Sequence, residues 1–163
     1  MPHVEPFIDA NRIAARIKAL GVQIRADYGD DTIVCVGVLK GSVVFLADLV
    51  RAIEGDVELA FLGVSSYTGT ESSGVVRITH DLRSSVVGKH VLIVEDIVDT
   101  GLTLDYLHRT LSVRDVKSLK VASLLDKPSR RQVQVPVDYI GFEIPDAFVV
   151  GYGLDLDEVY RNL

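Results

Sequence analysis

Apolar positions recur along this chain in two rhythms, one of helical period and one nearly unbroken. Between Asp9 and Gly29, Ile13, Ile17, Leu20 and Ile24 fall three or four residues apart among polar neighbours, which predicts an amphipathic helix with Asp9 at its N-cap. The next segment, TIVCVGVL at 32–39, is almost continuously apolar and rich in β-branched residues. That pattern predicts a strand covered on both faces, as in a parallel sheet. Lys40-Gly41-Ser42 follows, and then VVFLADLVRAIEG, a predicted helix with Ser42 as its cap and its stop near Gly55. The same strand, loop, helix order returns with VLIV at 91–94, the stretch EDIVDTGLT, and LDYLHRTL, where Leu104, Leu107 and Leu111 share one face.

Two further runs, ELAFLGVSSY at 58–67 and GVVRITHD at 74–81, read as strands on either side of TGTESS. Small and flexible residues without an apolar anchor predict a long mobile hairpin there. SLKVASLLD at 118–126 reads as another strand leading into the basic loop KPSRR, and YIGFEI and FVVGYG as two short strands near the end. The alternation predicts an α/β fold, a mainly parallel central sheet flanked by helices, with ligands at the carboxyl ends of the strands. Four loops are expected at that edge: after Leu39, after Val94, after Leu125 and around Phe148. At 163 residues, and without repeats or a linker, a single domain spanning 1–163 is expected.

Composition and charge then remove several classes of function. With 48% hydrophobic and 25% charged residues the chain reads as globular, and no apolar run approaches the roughly 20 residues that a membrane span needs. The start MPHVEPFIDANR lacks the basic stretch followed by apolar residues of a secretory signal, so a cytoplasmic protein is expected. The single cysteine, Cys35, sits inside an apolar run and reads as a small buried hydrophobe. A formal net charge of −6 argues against a broad basic face for nucleic acid. It leaves room for small anions held by a few local cations, by backbone N–H groups, or by a metal bridging acids to phosphate.

The chemistry concentrates in VLIVEDIVDTGLTL, residues 91–104. Glu95, Asp96 and Asp99 stand where the buried run should reach the carboxyl edge of the sheet, and Asp99 to Thr103 should present N–H groups at a helix start, a ready anion site. Carboxylates repel phosphate but accept hydrogen bonds from sugar hydroxyls and hold Mg²⁺, so a ligand carrying both ribose and phosphate satisfies both halves. The plain alternative is that Glu95 and Asp96 end a strand and Asp99 caps the next helix, a routine use of such residues. A signalling receiver domain also ends an early strand with paired acids, but here the pair lies past the middle of the chain. Neither GxxxxGK[ST] nor GxGxxG after a strand occurs.

This stretch resembles the phosphoribosyl-pyrophosphate signature of the type I phosphoribosyltransferases. The surrounding segments resemble the hypoxanthine-guanine (6-oxopurine) branch of that family over almost the whole chain: LKGS at 39–42, SSYTGT at 65–70, LLDKPSRR at 124–131 and IPDAFVVGYGLDLDEVYRNL from 144 onward. The resemblance implies the type I fold, with a flexible hairpin flap at about 65–78 and a small base-binding hood at about 132–163. It implies transfer of the 5-phosphoribosyl group from phosphoribosyl pyrophosphate to hypoxanthine or guanine, with xanthine as a further base, giving IMP or GMP and pyrophosphate. Members of that branch usually continue into a short final segment beyond the position of Leu163, which leaves open a missing tail or a shorter variant.

Residue by residue, Glu95 and Asp96 match the acids that face the ribose hydroxyls and the Mg²⁺ bound there, and Asp99 matches the general base at purine N7. Thr100, Gly101, Leu102 and Thr103 match the 5′-phosphate cradle, Leu102 replacing a residue that is commonly polar or basic there. Lys40, Gly41 and Arg161 match the pyrophosphate site, with the Leu39–Lys40 peptide bond expected to be cis. Without the resemblance, Lys40 and Arg161 would read as solvated surface charges. Lys127 matches the donor to purine O6, Phe148 the aromatic that stacks on the base, and Val149 a backbone contact to it, Phe148 alternatively being ordinary core. Asp155 matches a ligand of a second Mg²⁺ and a backbone acceptor near the purine 2-position, while Arg130 and Arg131 read as supports of their loop. Ser66 and Tyr67 match the pair laid over the site when the flap closes.

The resemblance further implies two Mg²⁺ per site and a homodimer or homotetramer, with neither nucleic acid nor membrane as partner. A second reading, a nucleotide-sensing regulator on the same scaffold like the RNA-binding pyrimidine-attenuation proteins, runs against the acidic balance and against the purine-type KPSRR and FVVGYGLD segments.

Overall fold

The computed structural model describes residues 3–67 and 75–163. Helix α1 (Ala10–Tyr28) begins where expected, with the Asp9 carboxylate accepting from the Arg12 N–H at 2.9 Å. Strand β1 (Ile33–Leu39) follows, then α2 (Val43–Ala52), β2 (Val57–Tyr67), β3 (Val75–His80), β4 (His90–Val98), α3 (Leu102–Ser112), β5 (Ser118–Asp126), a 3₁₀ turn (Pro128–Arg130) and β6 (Tyr139–Glu143). The strands form one six-stranded sheet in the order β3-β2-β1-β4-β5-β6, parallel throughout except for β3, which runs antiparallel to β2. The α/β architecture expected from the alternating pattern is the one found.

The unbroken apolar runs reflect burial on both faces of the sheet. Along β1, Ile33 and Cys35 face a core shared with Ile17, Leu20 and Ile24 of α1 and Phe45, Leu46 and Leu49 of α2. Val34, Val36 and Val38 face the other side, where they meet Val91, Ile93 and Leu104, Leu107 and Leu111 of α3. Period-two alternation thus sends neighbouring residues into different cores, so no position on the strand is free to be polar. Cys35 is fully buried, and burial pushes its thiol up to about 12, which suits a hydrophobe and not a nucleophile.

Three expectations are corrected. Ser42 stands at the start of α2 but does not cap it: its hydroxyl is completely buried and donates to the Val38 carbonyl at 2.7 Å, tying the loop back to β1. FVVGYG forms no strand, because Gly151, Tyr152 and Gly153 all take positive φ (93°, 50° and 102°), which breaks the extended path and leaves a single bridge from Gly151 to Leu154. β4 does not end at Val94 but runs to Val98, with Val98 still paired to Asp126 of β5. The tip of the expected hairpin, 68–74, lies outside the described residues.

The sheet order places a switch point between β1 and β4. From β1 the chain winds outward to β2, and from β4 it winds outward the other way to β5, so the loops after these two strands diverge and open a crevice at their carboxyl ends. Among the described residues, no helix is long and apolar enough to cross a membrane.

Candidate active site

Backbone pairing explains where the acids sit. β1 pairs with β4 only as far as Gly37 opposite Val94, whereas β4 keeps its pairing with β5 to Val98 opposite Asp126. Glu95 and Asp96 therefore lie within the last part of β4, on the stretch that β1 has already left, rather than beyond the strand. The gap is filled by the Lys40-Gly41 turn, whose entry peptide bond, Leu39–Lys40, is cis. A Cβ at Gly41 would stand 1.9 Å from an Asp96 oxygen, and one at Gly153 would stand 2.2 Å from the Gly41 carbonyl oxygen. Glycine at 153 lets its backbone meet that of Gly41, and glycine at 41 leaves room for the Asp96 carboxylate, so the hood is brought close to the acids.

Glu95 is 7% exposed, and burial, reinforced by the neighbouring Asp96, raises its carboxyl well above the ordinary range. Asp96 is raised too, chiefly by burial; Asp155 adds to the rise while Arg161 opposes it. Among the described residues no ion pair reaches either acid; Asp96 accepts the Ile97 N–H at 2.8 Å. Two neighbouring acids, one buried and one half-buried, without an ion-pair partner among the described residues resist carrying charge together. The site is thus short of positive charge and can take it from a ligand.

Asp99 does not cap α3, whose N-cap is Gly101 in the left-handed region at φ 85°. Its carboxylate instead accepts from Arg130 Nε at 3.0 Å, and its carbonyl accepts from Arg131 Nη1 at 2.9 Å. The loop is held from the same side, since Thr100 O accepts from the Gln132 N–H at 2.8 Å and Thr100 Oγ1 from the Leu102 N–H at 3.3 Å. Thr100 to Thr103 therefore enter α3 on a fixed path, with Leu102 exposed. Arg130 and Arg131, expected to support their own loop, also brace the loop after β4, Arg130 through the Asp99 carboxylate itself.

Lys127 is 7% exposed, and its ammonium lies 3.7 Å from Asp146, which in turn lies 3.7 Å from Arg130. Charges alternate along Asp99, Arg130, Asp146 and Lys127, joining the end of β4 to the end of β5. Phe148, 73% exposed, is not core, and its ring is open to a stacking partner. Val149 beside it is half-buried against the core. An apolar hollow of about 900 Å³ runs from the N-terminal segment to Phe148 and Val149 but does not include the acids.

From the hood, Arg161 donates through Nη1 to the Gly153 carbonyl at 2.6 Å, while its Nη2 lies 3.5 Å from Asp155 and 3.2 Å from Glu158. Its Nε is buried with no acceptor. Lys40 reaches Glu158 at 2.7 Å. Lys40 is exposed, as the plain reading has it, though paired with Glu158, whereas Arg161 is largely buried and is not a solvated charge. Ser66 and Tyr67 lie at the end of β2, opposite Val76 and Val75 of β3. The residues singled out from β1, β4, β5 and the hood thus converge on one edge. Glu158, Asp146 and the close packing at Gly153 escaped notice, since nothing in LDLDEVYR or IPDAF separates them from surface acids and turn glycines.

A sequence model described as a phosphoribosyl transferase domain matches residues 3–157. The chain belongs to the phosphoribosyl transferase family. Among curated family members, a hypoxanthine phosphoribosyltransferase of Haemophilus influenzae is 52% identical, the match covering 99% of this chain and 92% of that protein. A hypoxanthine-guanine phosphoribosyltransferase of Bacillus subtilis is 49% identical, over 96% of this chain and 88% of its own. Among solved phosphoribosyltransferase structures, a hypoxanthine-guanine enzyme of Bacillus anthracis, with a HEPES molecule in its active site, superposes with a TM-score of 0.94 at 45% identity, covering 98% of this chain and 95% of that one. The fold is accordingly the type I phosphoribosyltransferase fold.

Proposed function

We propose that this chain is a purine-salvage enzyme that transfers the 5-phosphoribosyl group from phosphoribosyl pyrophosphate to hypoxanthine or guanine, and to xanthine as a further base. The observation that carries this reading is the adjacent acids Glu95, buried, and Asp96, half-buried, with no ion pair to either among the described residues and packed against the Lys40-Gly41 turn. In the reaction the purine N9 forms a bond to ribose C1, the bond from C1 to the pyrophosphate oxygen breaks, pyrophosphate leaves with the electron pair, and the N7 proton passes to Asp99. Asp99 lies on the loop after β4 with its carboxylate held by Arg130, placed to serve as the base.

Glu95 and Asp96 would hold the ribose hydroxyls and one Mg²⁺, and Asp155 would hold a second. Among the described residues no three metal-ligating side chains converge, which suits Mg²⁺ held by one or two carboxylates plus substrate oxygens. When bound, the metal supplies the positive charge that the buried acids lack and neutralises the leaving group. Thr100, Gly101, Leu102 and Thr103 cradle the 5′-phosphate, and Lys40, Gly41 and Arg161 meet pyrophosphate. Lys127 donates to O6, Phe148 stacks on the base, and Val149 and Asp155 offer backbone contacts to it. A donor at Lys127 facing the amino group of adenine would be left unpaired, a cost of about 1–3 kcal/mol. Ser66 and Tyr67 close over the site and exclude water from the developing oxocarbenium centre. In this reading 1–163 is one domain, with a flap at about 65–78 and a hood at about 132–163. The protein works in the cytoplasm as a homodimer or homotetramer, without nucleic acid or membrane.

The test is an absorbance assay with phosphoribosyl pyrophosphate and each of hypoxanthine, guanine, xanthine, adenine and uracil, with and without chelator. Chelator-sensitive turnover of hypoxanthine and guanine, and none of adenine or uracil, is expected. Turnover of none, with nucleotide still bound, would move the protein to the regulators.

A further inference from the structure

Lys40 and Arg161 stand 121 positions apart, yet one carboxylate engages both. Glu158 Oε2 accepts from Lys40 Nζ at 2.7 Å, and Glu158 Oε1 accepts from Arg161 Nη2 at 3.2 Å. The backbone that delivers it is a two-residue turn: Leu156 and Val159 exchange both backbone hydrogen bonds, each 3.1 Å, around Asp157 and Glu158 at φ 50° and 69°. Such turns need positive φ at both central positions and strongly prefer glycine at the second. A long acidic side chain occupies that position here, and Asp155 pins it by accepting the Glu158 N–H at 2.9 Å.

We propose that Glu158 is an internal stand-in for the pyrophosphoryl group, holding Lys40 and Arg161 in the free protein and giving way when pyrophosphate binds, so that it sets the affinity for that group. The inference rests on the assignment of Lys40 and Arg161 to pyrophosphate made above. A carboxylate offers two oxygens to two cations, the same service that adjacent phosphate oxygens perform, but with less charge. The exchange is easy, because the Lys40 and Glu158 side chains are 68% and 63% exposed and exposed pairs are weak. Glu158 therefore keeps the two cations apart from stray anions and assembled for the substrate, and it competes with pyrophosphate for them after transfer, which hastens release.

The experiment is calorimetric titration of the full chain with inorganic pyrophosphate and Mg²⁺ at low salt, for wild type, E158Q, E158G and E158D. E158Q and E158G should bind about fivefold tighter, the equivalent of one well-formed exposed ion pair, and the gain should shrink as salt rises. E158D keeps the charge and should stay close to wild type. Wild-type affinity in both E158Q and E158G, or weaker binding in both, overturns the role of Glu158. No pyrophosphate binding by the wild type would instead overturn the assignment of Lys40 and Arg161, and the inference with it.

Discussion

Asp99 is fixed at both ends, its carboxylate by Arg130 and its carbonyl by Arg131. Asparagine has the same shape and still offers an oxygen to Arg130, so Asp99→Asn should keep the loop and lose only the capacity to take a proton. Turnover should fall roughly 10²–10⁴-fold, the usual contribution of a general base, while the dissociation constant for phosphoribosyl pyrophosphate stays within about a factor of two. Steady-state rates and calorimetry on the same preparation check both halves. Wild-type turnover would remove Asp99 from the proton step. At this scale the acids and the cations were legible because their order in EDIVDTGLT and LKGS is distinctive. Their partners were not, since Arg130, Asp146 and Glu158 reach the site only through the folding of distant loops.

Elements pack on contacts no larger than one hydrogen atom where α1 crosses α2. A Cβ at Gly21 would stand 2.2 Å from the Ala52 carbonyl oxygen and 2.6 Å from its carbonyl carbon. Replacing an exposed helical glycine by alanine gains about 1 kcal/mol, but here the obstacle is backbone and one helix must shift, at a cost of about 1–3 kcal/mol. Gly21→Ala should therefore come out destabilising or at best neutral in urea unfolding, and a clear gain in midpoint would show that α1 and α2 are not in this contact. The elements themselves were readable wherever one face or two faces are buried: α1, β1, α3 and β5 follow directly from their apolar spacing. What failed was set by neighbours or by backbone sign. β4 outlasts its apolar run because β5 keeps pairing with it, and FVVGYG has strand composition but three left-handed residues, a choice that side-chain hydropathy does not record.

For the molecule as a whole, the site carries an electrostatic debt, with Glu95 buried and Asp96 half-buried at the meeting point of β1, β4 and the hood and, among the described residues, no ion pair to either. A ligand that brings positive charge binds the folded chain and not the unfolded one, so it must stabilise the fold by mass action. With Mg²⁺ present and phosphoribosyl pyrophosphate at one hundred times its dissociation constant, the gain should be about 2.7 kcal/mol. For a chain of this length that is a rise in melting temperature of about 5–10 °C. Chelator should abolish most of the shift, because the anionic substrate alone meets acids it cannot approach. Mg²⁺ alone should give only a small part of it, because the metal lacks the phosphate oxygens that complete its shell. Thermal melts in the four combinations of metal and substrate decide the matter. A substrate-induced shift that survives chelator would mean that Lys40, Arg161 and the start of α3 carry the binding, with Glu95 and Asp96 engaging the sugar as neutral or hydroxyl-bonded acids.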